Sequence, residues 1–238
     1  MRSRSGGHDA RQGALAEVLP SKMKTEYQSR GMRDADIRTG LYPFLASKFR
    51  RDPSTVIANE LGIRQGLVRV DVAAVNGSFY GFEIKSGADS LDRLPRQVAE
   101  YGRVLDYAAV VVAEKHRDAV EALLPAWWGI LIAKPELGTI KIRRARRLMR
   151  NPAVDARALS ELLWHDEALV LLDARNSARG LRSKPRALAW DRLSEIYSTD
   201  EIRGFVRAAL KTRAARESAA ASVPSDESLR CDATLTSC

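Results

Sequence analysis

Two acidic residues and a lysine in one short stretch have the chemistry needed to hydrolyse a phosphodiester bond. Asp71 is followed, after a turn signal, by the triplet Glu83-Ile84-Lys85. Mg²⁺ is usually held by one or two carboxylates, while waters and substrate phosphates complete its coordination shell. Because side chains alternate along a strand, Glu83 and Lys85 share one face, where the lysine ammonium can orient or deprotonate an attacking water. These residues predict a hydrolase that uses Mg²⁺ or Mn²⁺, with Asp71, Glu83 and the main-chain carbonyl of Ile84 as metal ligands.

The connection between the two strands decides whether the two carboxylates meet. The segment before the turn alternates apolar and polar residues, as a strand does, and Asn76-Gly77 is a strong turn signal. A two-residue loop would leave Asp71 and Glu83 on opposite faces of the hairpin. A three-residue loop over 76–78 places Asp71 directly across from Glu83. We therefore predict the longer loop, or a compensating bulge near Gly81.

Hydrophobic periodicity predicts an α/β fold around this hairpin. Strands are recognised by alternation or by runs of Val and Ile, and helices by apolar residues three or four positions apart. The elements predicted before the hairpin are a helix from Ile37 that Pro43 should interrupt or kink, and a helix from Ser54 to Gly62 with Glu60 near its last turn. The elements predicted after it are a helix over 92–106, a strand over 107–113, a helix over 116–124, and strands over 128–133 and 139–143.

The strand signal fades in the last third of the chain. Helical periodicity returns over 155–163, 187–197 and 200–216, which predicts an all-helical appendage over residues 151–217. Both ends of the chain are polar and show little periodicity, so we expect a disordered leader over 1–32 and a disordered tail over 218–238. The α/β domain is then the segment 33–150.

The residues with candidate chemistry resemble those of a known superfamily of nucleases. Asp71, the pair Glu83-x-Lys85, and Gln97-x-x-x-Tyr101 on the following helix together resemble the PD-(D/E)XK, or restriction-endonuclease-like, superfamily. The motif Gly81-Phe82-Glu83-Ile84-Lys85-Ser86 is similar to that of a bacterial and phage branch of this superfamily. The resemblance covers about residues 33–143, and it lacks only the proline before Asp71 that gives the superfamily its name.

The resemblance implies a mixed sheet flanked by helices, whose core runs helix, strand, strand, strand, helix, strand. It assigns catalysis to the two acids and the lysine of the hairpin. Gln97 and Tyr101 match a glutamine and a tyrosine that RecB-type members place next to the active site. Four positions apart on a helix, they project from the same side, where they could touch a phosphate or a base. Many members add an acidic metal ligand from an upstream helix, and Glu60 is the candidate here.

The charge of the chain favours a polyanionic partner. There are 39 Lys and Arg residues against 30 Asp and Glu, a formal charge of +9, which suits binding to nucleic acid. Six cations are crowded into residues 141–150. Clusters of this kind suit phosphate contacts that hold a duplex without reading its sequence. The predicted nucleic-acid contacts in this cluster are Arg143, Arg144, Arg146 and Arg147.

Several other classes of protein are disfavoured. No apolar run approaches the roughly 18 residues that a membrane span needs, and the basic start of the chain lacks the apolar core of a secretory signal. Cys231 and Cys238 lie in the polar tail, and no C-x-x-C or His-x-x-x-His spacing indicates a zinc site. We therefore expect a cytoplasmic protein with no membrane partner. A homodimer and a larger complex both stay open.

The sequence thus predicts a Mg²⁺-dependent nuclease that cuts DNA. An RNA substrate stays open, as does the choice between endonuclease and exonuclease, because loops and oligomer geometry decide these properties. The alternative is a DNA-binding or assembly module on a nuclease fold that cuts nothing alone. A pure binder gains nothing from two carboxylates beside an anionic backbone, which favours the enzyme.

Overall fold

A mixed six-stranded β-sheet forms the centre of the protein, with helices on both faces. The computed structural model describes residues 31–221. The strands are β1 (Val56–Ile63), β2 (Val68–Val75), β3 (Phe79–Lys85), β4 (Tyr107–Ala113), β5 (Gly129–Glu136) and β6 (Thr139–Arg146). The helices are α1 (Asp34–Phe49), α2 (Leu94–Gly102), α3 (Arg117–Leu123), α4 (Ala156–Ser160), α5 (His165–Asp173), α6 (Arg186–Ile196) and α7 (Thr199–Ala221).

The strands follow one another across the sheet in chain order, from β1 at one edge to β6 at the other. β1, β2 and β3 pair antiparallel, β3, β4 and β5 pair parallel, and β6 returns antiparallel to β5. Parallel neighbours need crossover connections, and α2 and α3 supply them. The α/β class with C-terminal helices is therefore confirmed.

Buried side chains form one cluster on each face of the sheet. On the first face, which we call the α1 face, α1 packs Ile37, Leu41 and Leu45 against the strands. On the opposite face, the α2 face, α2 packs Leu94 and Val98 against the strands. Removing these apolar surfaces from water holds the helices on the sheet and fixes where their polar residues lie.

The C-terminal helices complete the core on the α2 face. Leu159 of α4, Trp190 of α6 and Val206 of α7 belong to the same buried cluster as the sheet residues. The charge of α7 also ties it to the sheet, because Arg203 Nε lies 2.9 Å from an oxygen of the buried Asp106. No helix of residues 31–221 has both the length and the apolar character that a bilayer crossing requires.

The hairpin between β2 and β3 has the predicted register. Val75 pairs with Phe79, so three residues, 76–78, form the loop, as the requirement for two facing carboxylates predicted. Asn76 stabilises the turn, because its side-chain oxygen accepts a hydrogen bond from the Ser78 N–H at 2.9 Å. The backbone pairing continues to Val72 and Phe82, one step before Asp71.

The helix predicted from Ser54 to Gly62 is wrong, because this segment forms the edge strand β1. Without β1, the outer edge of β2 would present a row of unpaired backbone groups. Pairing with β2 outweighs a weak helical spacing in a segment whose β-branched residues and Gly62 disfavour a helix. Glu60 therefore lies in a strand, and its positive φ of 53° interrupts the pairing opposite Asp71.

The other predicted elements within residues 31–221 are confirmed with shifted ends. Pro43 lies inside α1 and does not interrupt it. β5 and β6 extend beyond their predicted ends, and α5 has no counterpart in the prediction. Most of the predicted leader (1–32) and tail (218–238) lies outside the described residues, although Met32 is buried on the α1 face and α7 runs to Ala221.

The close packing of α1 on β6 gives a prediction for two helical glycines. A Cβ at Gly40 would lie 2.3 Å from the carbonyl oxygen of Ile140, whereas a Cβ at Gly204 of α7 would meet nothing within 4 Å. Gly40→Ala should destabilise the protein by about 1–3 kcal/mol through overpacking. Gly204→Ala should stabilise it by up to about 1 kcal/mol through helix propensity. Urea unfolding of both variants checks this, and equal effects would contradict the close approach of α1 to β6.

Candidate active site

The Glu83 carboxylate is the centre of a buried hydrogen-bond network at the end of β3. Its side chain is about 2% exposed. Oε1 accepts hydrogen bonds from Lys85 Nζ at 2.7 Å and from Gln97 Nε2 at 2.5 Å, and Oε2 accepts one from the Tyr101 hydroxyl at 2.5 Å. Glu83 and Lys85 come from one strand and share its α2 face, while Gln97 and Tyr101 lie one turn apart on α2. The structure thus brings together four of the residues predicted from the sequence.

Asp71 reaches this network from the neighbouring strand. Val70 packs on the α2 face and Val72 on the α1 face, so the alternation of β2 shifts by one residue at Asp71. The Ile84 N–H donates a hydrogen bond to Asp71 Oδ2 at 2.6 Å. The Asp71 carboxylate therefore lies next to β3, beside Glu83. The Ile84 side chain packs on the α1 face, as predicted.

The two carboxylates repel each other in a poorly hydrated space. Burial, followed by the charge of Glu83, raises the pKa of Asp71 to about 7, although the hydrogen bond from Ile84 opposes the shift. Burial and the Glu83 charge also raise the pKa of Tyr101, which keeps its hydroxyl protonated as a donor. Tyr101 is fully buried, so it acts by holding Glu83 rather than by touching a ligand.

The side-chain oxygen of Gln97 lacks a partner. Glu83 fixes the orientation of the amide, because a carboxylate only accepts hydrogen bonds and the amide nitrogen must face it. Gln97 Oε1 is then buried with no hydrogen-bond partner in the described part of the chain. An unpaired acceptor beside two carboxylates fits a site for a hydrated cation. Among residues 31–221, no group of three or more His, Cys, Asp or Glu side chains is arranged to hold a metal. A Mg²⁺ site here would rest on two carboxylates, the Ile84 carbonyl and waters, a donor set that Mg²⁺ accepts.

An open, acidic cleft of about 410 Å³ gives access to these groups. Asp71, Glu83, Ile84, Lys85 and Gln97 line it, and α1 and the loop after β3 contribute further polar residues. These further lining residues are Asp34, Asp89, Ser90, Asp92 and Arg93. Five carboxylates against two cations make the cleft attractive to a metal ion and unattractive to a phosphate that arrives without one.

Arg38 separates Glu60 from the cleft. Its guanidinium donates to Glu60 Oε1 at 2.5 Å, to Asp34 Oδ1 at 2.6 Å and to the main-chain oxygen of Asp71 at 2.9 Å. Glu60 also lies 3.8 Å from Arg69, and its side chain is 46% exposed. Glu60, predicted as a metal ligand, is therefore in an ion-pair network and does not line the cleft.

Sequence analysis missed the acidic residue that α1 contributes. Asp34 is the first residue of α1 and lines the cleft, while Arg38 lies one turn later. Their spacing of four residues was the available signal, because oppositely charged side chains at that spacing pair on a helix. An acidic residue from α1, and not Glu60, therefore lines the cleft, where it pairs with Arg38.

The predicted basic cluster lies on the edge strand β6 and directly after it. Two strands, β4 and β5, separate β6 from β3. Arg143 pairs with Glu136 at 3.3 Å, and Arg146 donates to the carbonyl oxygens of Trp128 and Pro125. The other two predicted contacts, Arg144 and Arg147, line a separate pocket. None of the four arginines lines the acidic cleft.

The raised pKa of Asp71 gives a prediction about stability and pH. The folded-state pKa of about 7 exceeds the ordinary value of 3.8, so ionised Asp71 destabilises the folded state as pH rises between these values. With chelator present, Asp71→Asn should be more stable than the wild type at pH 8, by about 2 kcal/mol after allowance for solvent screening. The difference should shrink towards zero near pH 4.5. Urea unfolding at both pH values measures it, and an offset independent of pH would contradict the pKa assignment.

Comparisons with known proteins identify the family of the chain. A family model described as Bacteriophage P4 protein cII matches residues 28–223. Protein cII of Enterobacteria phage P4 is 30% identical over 100 residues, which cover 42% of this chain but only 38% of that protein. Among solved structures, SPO1766, a protein of unknown function from Silicibacter pomeroyi, matches at 22% identity and a TM-score of 0.37, covering 63% of this chain and 96% of that one. Because the family model covers most of the sequence, the chain belongs to the bacteriophage P4 protein cII family.

Proposed function

We propose that the protein is a Mg²⁺-dependent nuclease that hydrolyses DNA phosphodiester bonds in the cytoplasm. The observation that carries the proposal is the cleft in which Asp71, Glu83 and Lys85 meet beside Gln97. Two carboxylates from adjacent strands, an amine and an unpaired amide oxygen form a set that a simple ion-pair network does not require. The charge of +9 on the chain supports a nucleic-acid substrate.

The order of the elements supports a restriction-endonuclease-like core. From α1 to β4 the chain runs helix, strand, strand, strand, helix, strand. This is the succession that the resemblance implies, and β1 supplies the strand that had been predicted as a helix. The cleft lies where β3 ends and α2 begins, the region in which the resemblance places catalysis.

The roles of the residues follow from their contacts. Asp71 and Glu83, with the Ile84 carbonyl, would hold Mg²⁺. When bound, this ion would supply the positive charge that activates water and neutralises the phosphate. Gln97 and Tyr101 fix the position of the Glu83 carboxylate. Gln97 Oε1, which is buried and has no partner among the described residues, is a spare acceptor next to this carboxylate.

Lys85 is the residue proposed to act on the attacking water. Its ammonium is held 2.7 Å from Glu83 Oε1 and its side chain is 11% exposed, so its position is fixed before substrate binds. A fixed positive charge stabilises negative charge that develops on the phosphate, at no cost for reorganisation. The same ammonium lines the cleft beside Asp71, where it can orient a water.

One observation favours the alternative of a non-cleaving DNA-binding or assembly module. Both oxygens of Glu83 already accept hydrogen bonds, from Lys85, Gln97 and Tyr101. A carboxylate satisfied in this way can be a structural element of the core. The two functions differ in one readout, because only the enzyme converts substrate when a divalent ion is added.

The direct test of the proposal is a cleavage assay with the purified chain. Linear, nicked, circular and single-stranded DNA, with an RNA of matched sequence, are incubated with Mg²⁺, Mn²⁺ or chelator. We expect cleavage of at least one DNA form with Mg²⁺ or Mn²⁺ and none with chelator. Binding that is insensitive to chelator, without cleavage of any substrate, would support the module instead.

Removal of the lysine gives a second prediction. Lys85→Ala should slow cleavage by about 100- to 1,000-fold, because a fixed charge at the reacting phosphate is lost. DNA affinity and the far-UV circular dichroism spectrum should stay close to those of the wild type. The matched control is Lys134→Ala, which removes a lysine that pairs with Glu114 at the end of β5, outside the cleft. Cleavage by Lys85→Ala at the wild-type rate would overturn the role given to this residue.

A further inference from the structure

A second pocket lies on the α1 face, outside the acidic cleft. Its volume is about 680 Å³, within the range of small-molecule sites. Its walls come from the second half of α1, from the starts of β3 and β4, and from the end of β6. The residues that characterise it are Phe44, Lys48, Tyr80, Tyr107, Arg144 and Arg147, and we call it the basic-aromatic pocket.

Three cations converge on this pocket without a counter-charge. No carboxylate in residues 31–221 forms an ion pair with Lys48, Arg144 or Arg147, whereas Arg143 on the same strand pairs with Glu136. Burial, and then the charges of Arg144 and Arg147, lower the pKa of Lys48. Like charges held together in a concave, partly desolvated site create a positive potential that a bound anion relieves.

The same pocket presents an aromatic surface. Tyr80 and Tyr107 are direct neighbours on the parallel strands β3 and β4. Their rings stack with centroids 4.8 Å apart and planes 13° apart, and the Phe49 ring packs on Tyr80 at 4.9 Å. Both tyrosines are half-buried, so part of the stack faces the pocket. Aromatic rings next to cations are the arrangement on which nucleobases stack while the phosphates are neutralised.

We propose that the basic-aromatic pocket binds a nucleotide unit, with its phosphate held by Lys48, Arg144 and Arg147 and its base stacked on the Tyr80–Tyr107 pair. The unit can belong to a single strand of nucleic acid or be a free nucleotide, because both present the same phosphate and base. A simple phosphate would use only the cations, whereas a nucleotide would also contact the half-buried tyrosine rings.

The pocket is separate from the acidic cleft. Tyr80 and Lys85 are five residues apart on β3, which corresponds to about 17 Å along a strand. Their side chains also point to opposite faces. Tyr80 packs with the α1-face cluster, whereas Lys85 shares the α2 face with Glu83, which contacts Tyr101 there. One nucleotide cannot occupy both places, so this is a second binding site and does not depend on the proposed cleavage.

The test measures binding of a 5′-phosphorylated oligothymidylate, labelled at its 3′ end, by fluorescence anisotropy with chelator present. The double variant Lys48→Gln/Arg147→Gln should bind about tenfold more weakly or worse, because two charge-assisted contacts are lost. Tyr107→Leu should bind at least about fivefold more weakly than the wild type, because the stacking surface is lost. Competition with unlabelled thymidine monophosphate distinguishes the two sources of the unit. If thymidine monophosphate displaces the labelled oligonucleotide, the pocket is assigned to a single nucleotide. If the oligonucleotide resists this competitor but its binding is lost in the double variant, the pocket is assigned to a strand.

The matched control is Lys134→Gln/Arg192→Gln, which also removes one lysine and one arginine, from surface positions outside the pocket and outside the basic cluster. This variant should lose less than about threefold in affinity, because surface charges outside the pocket attract the oligonucleotide only at long range and are screened by salt. Equal losses in the two double variants, or full binding by Tyr107→Leu, would overturn the proposal. Circular dichroism checks that each variant is folded. Because the readout is binding without metal, a protein that cuts nothing can still pass this test.

Discussion

A carboxylate shielded from water must be matched by donors or by positive charge, and Glu83 imposes this requirement on the elements around it. Lys85 supplies a charge from the same strand, and α2 supplies two neutral donors. Asp71 then adds a second carboxylate in the same buried space, and burial, followed by the charge of Glu83, raises its pKa to about 7. Once Asp71 is ionised, above its pKa of about 7, the site carries one excess negative charge. This imbalance is the physical basis for proposing a divalent cation and the hydrolysis it supports.

Helix α1 connects this site with the second pocket. Its first residue, Asp34, lines the acidic cleft, and Lys48 near its end lines the basic-aromatic pocket. Gly40, between them, brings the helix against the backbone of β6. The two ends of one helix thus carry opposite charges into two separate cavities, and the buried face between them, with Ile37, Leu41 and Leu45, holds the helix on the sheet.

The hairpin was predictable because few parameters determine it. The turn residues Asn76-Gly77 and the need for two facing carboxylates determined the three-residue loop. The regular alternation predicted around Asp71 was wrong in one respect, because it shifts by one residue between Val70 and Val72. Gln97 and Tyr101 were predictable as a pair because helix geometry fixes residues four apart. Their surroundings differ, since Tyr101 is fully buried and donates to Glu83, while Gln97 lines the cleft.

Features that depend on distant pairing were not predictable from local patterns. Strand β1 forms because its backbone pairs with β2, and the local pattern of residues 54–62 does not show that this partner is available. Asp34 enters the cleft only because α1 packs across the sheet, and Arg144 and Arg147 meet Lys48 only because β6 lies under the same helix. Local spacing showed a basic cluster, but the tertiary fold divides it into paired and unpaired arginines.

The most direct measurement of the central claim is anomalous X-ray scattering from crystals of the protein soaked in Mn²⁺ at pH 8. The account predicts a Mn²⁺ peak within coordination distance of the Asp71 and Glu83 carboxylates, and no such peak in crystals of Asp71→Asn. Strong anomalous peaks elsewhere on the protein, with none between these two side chains, would contradict it.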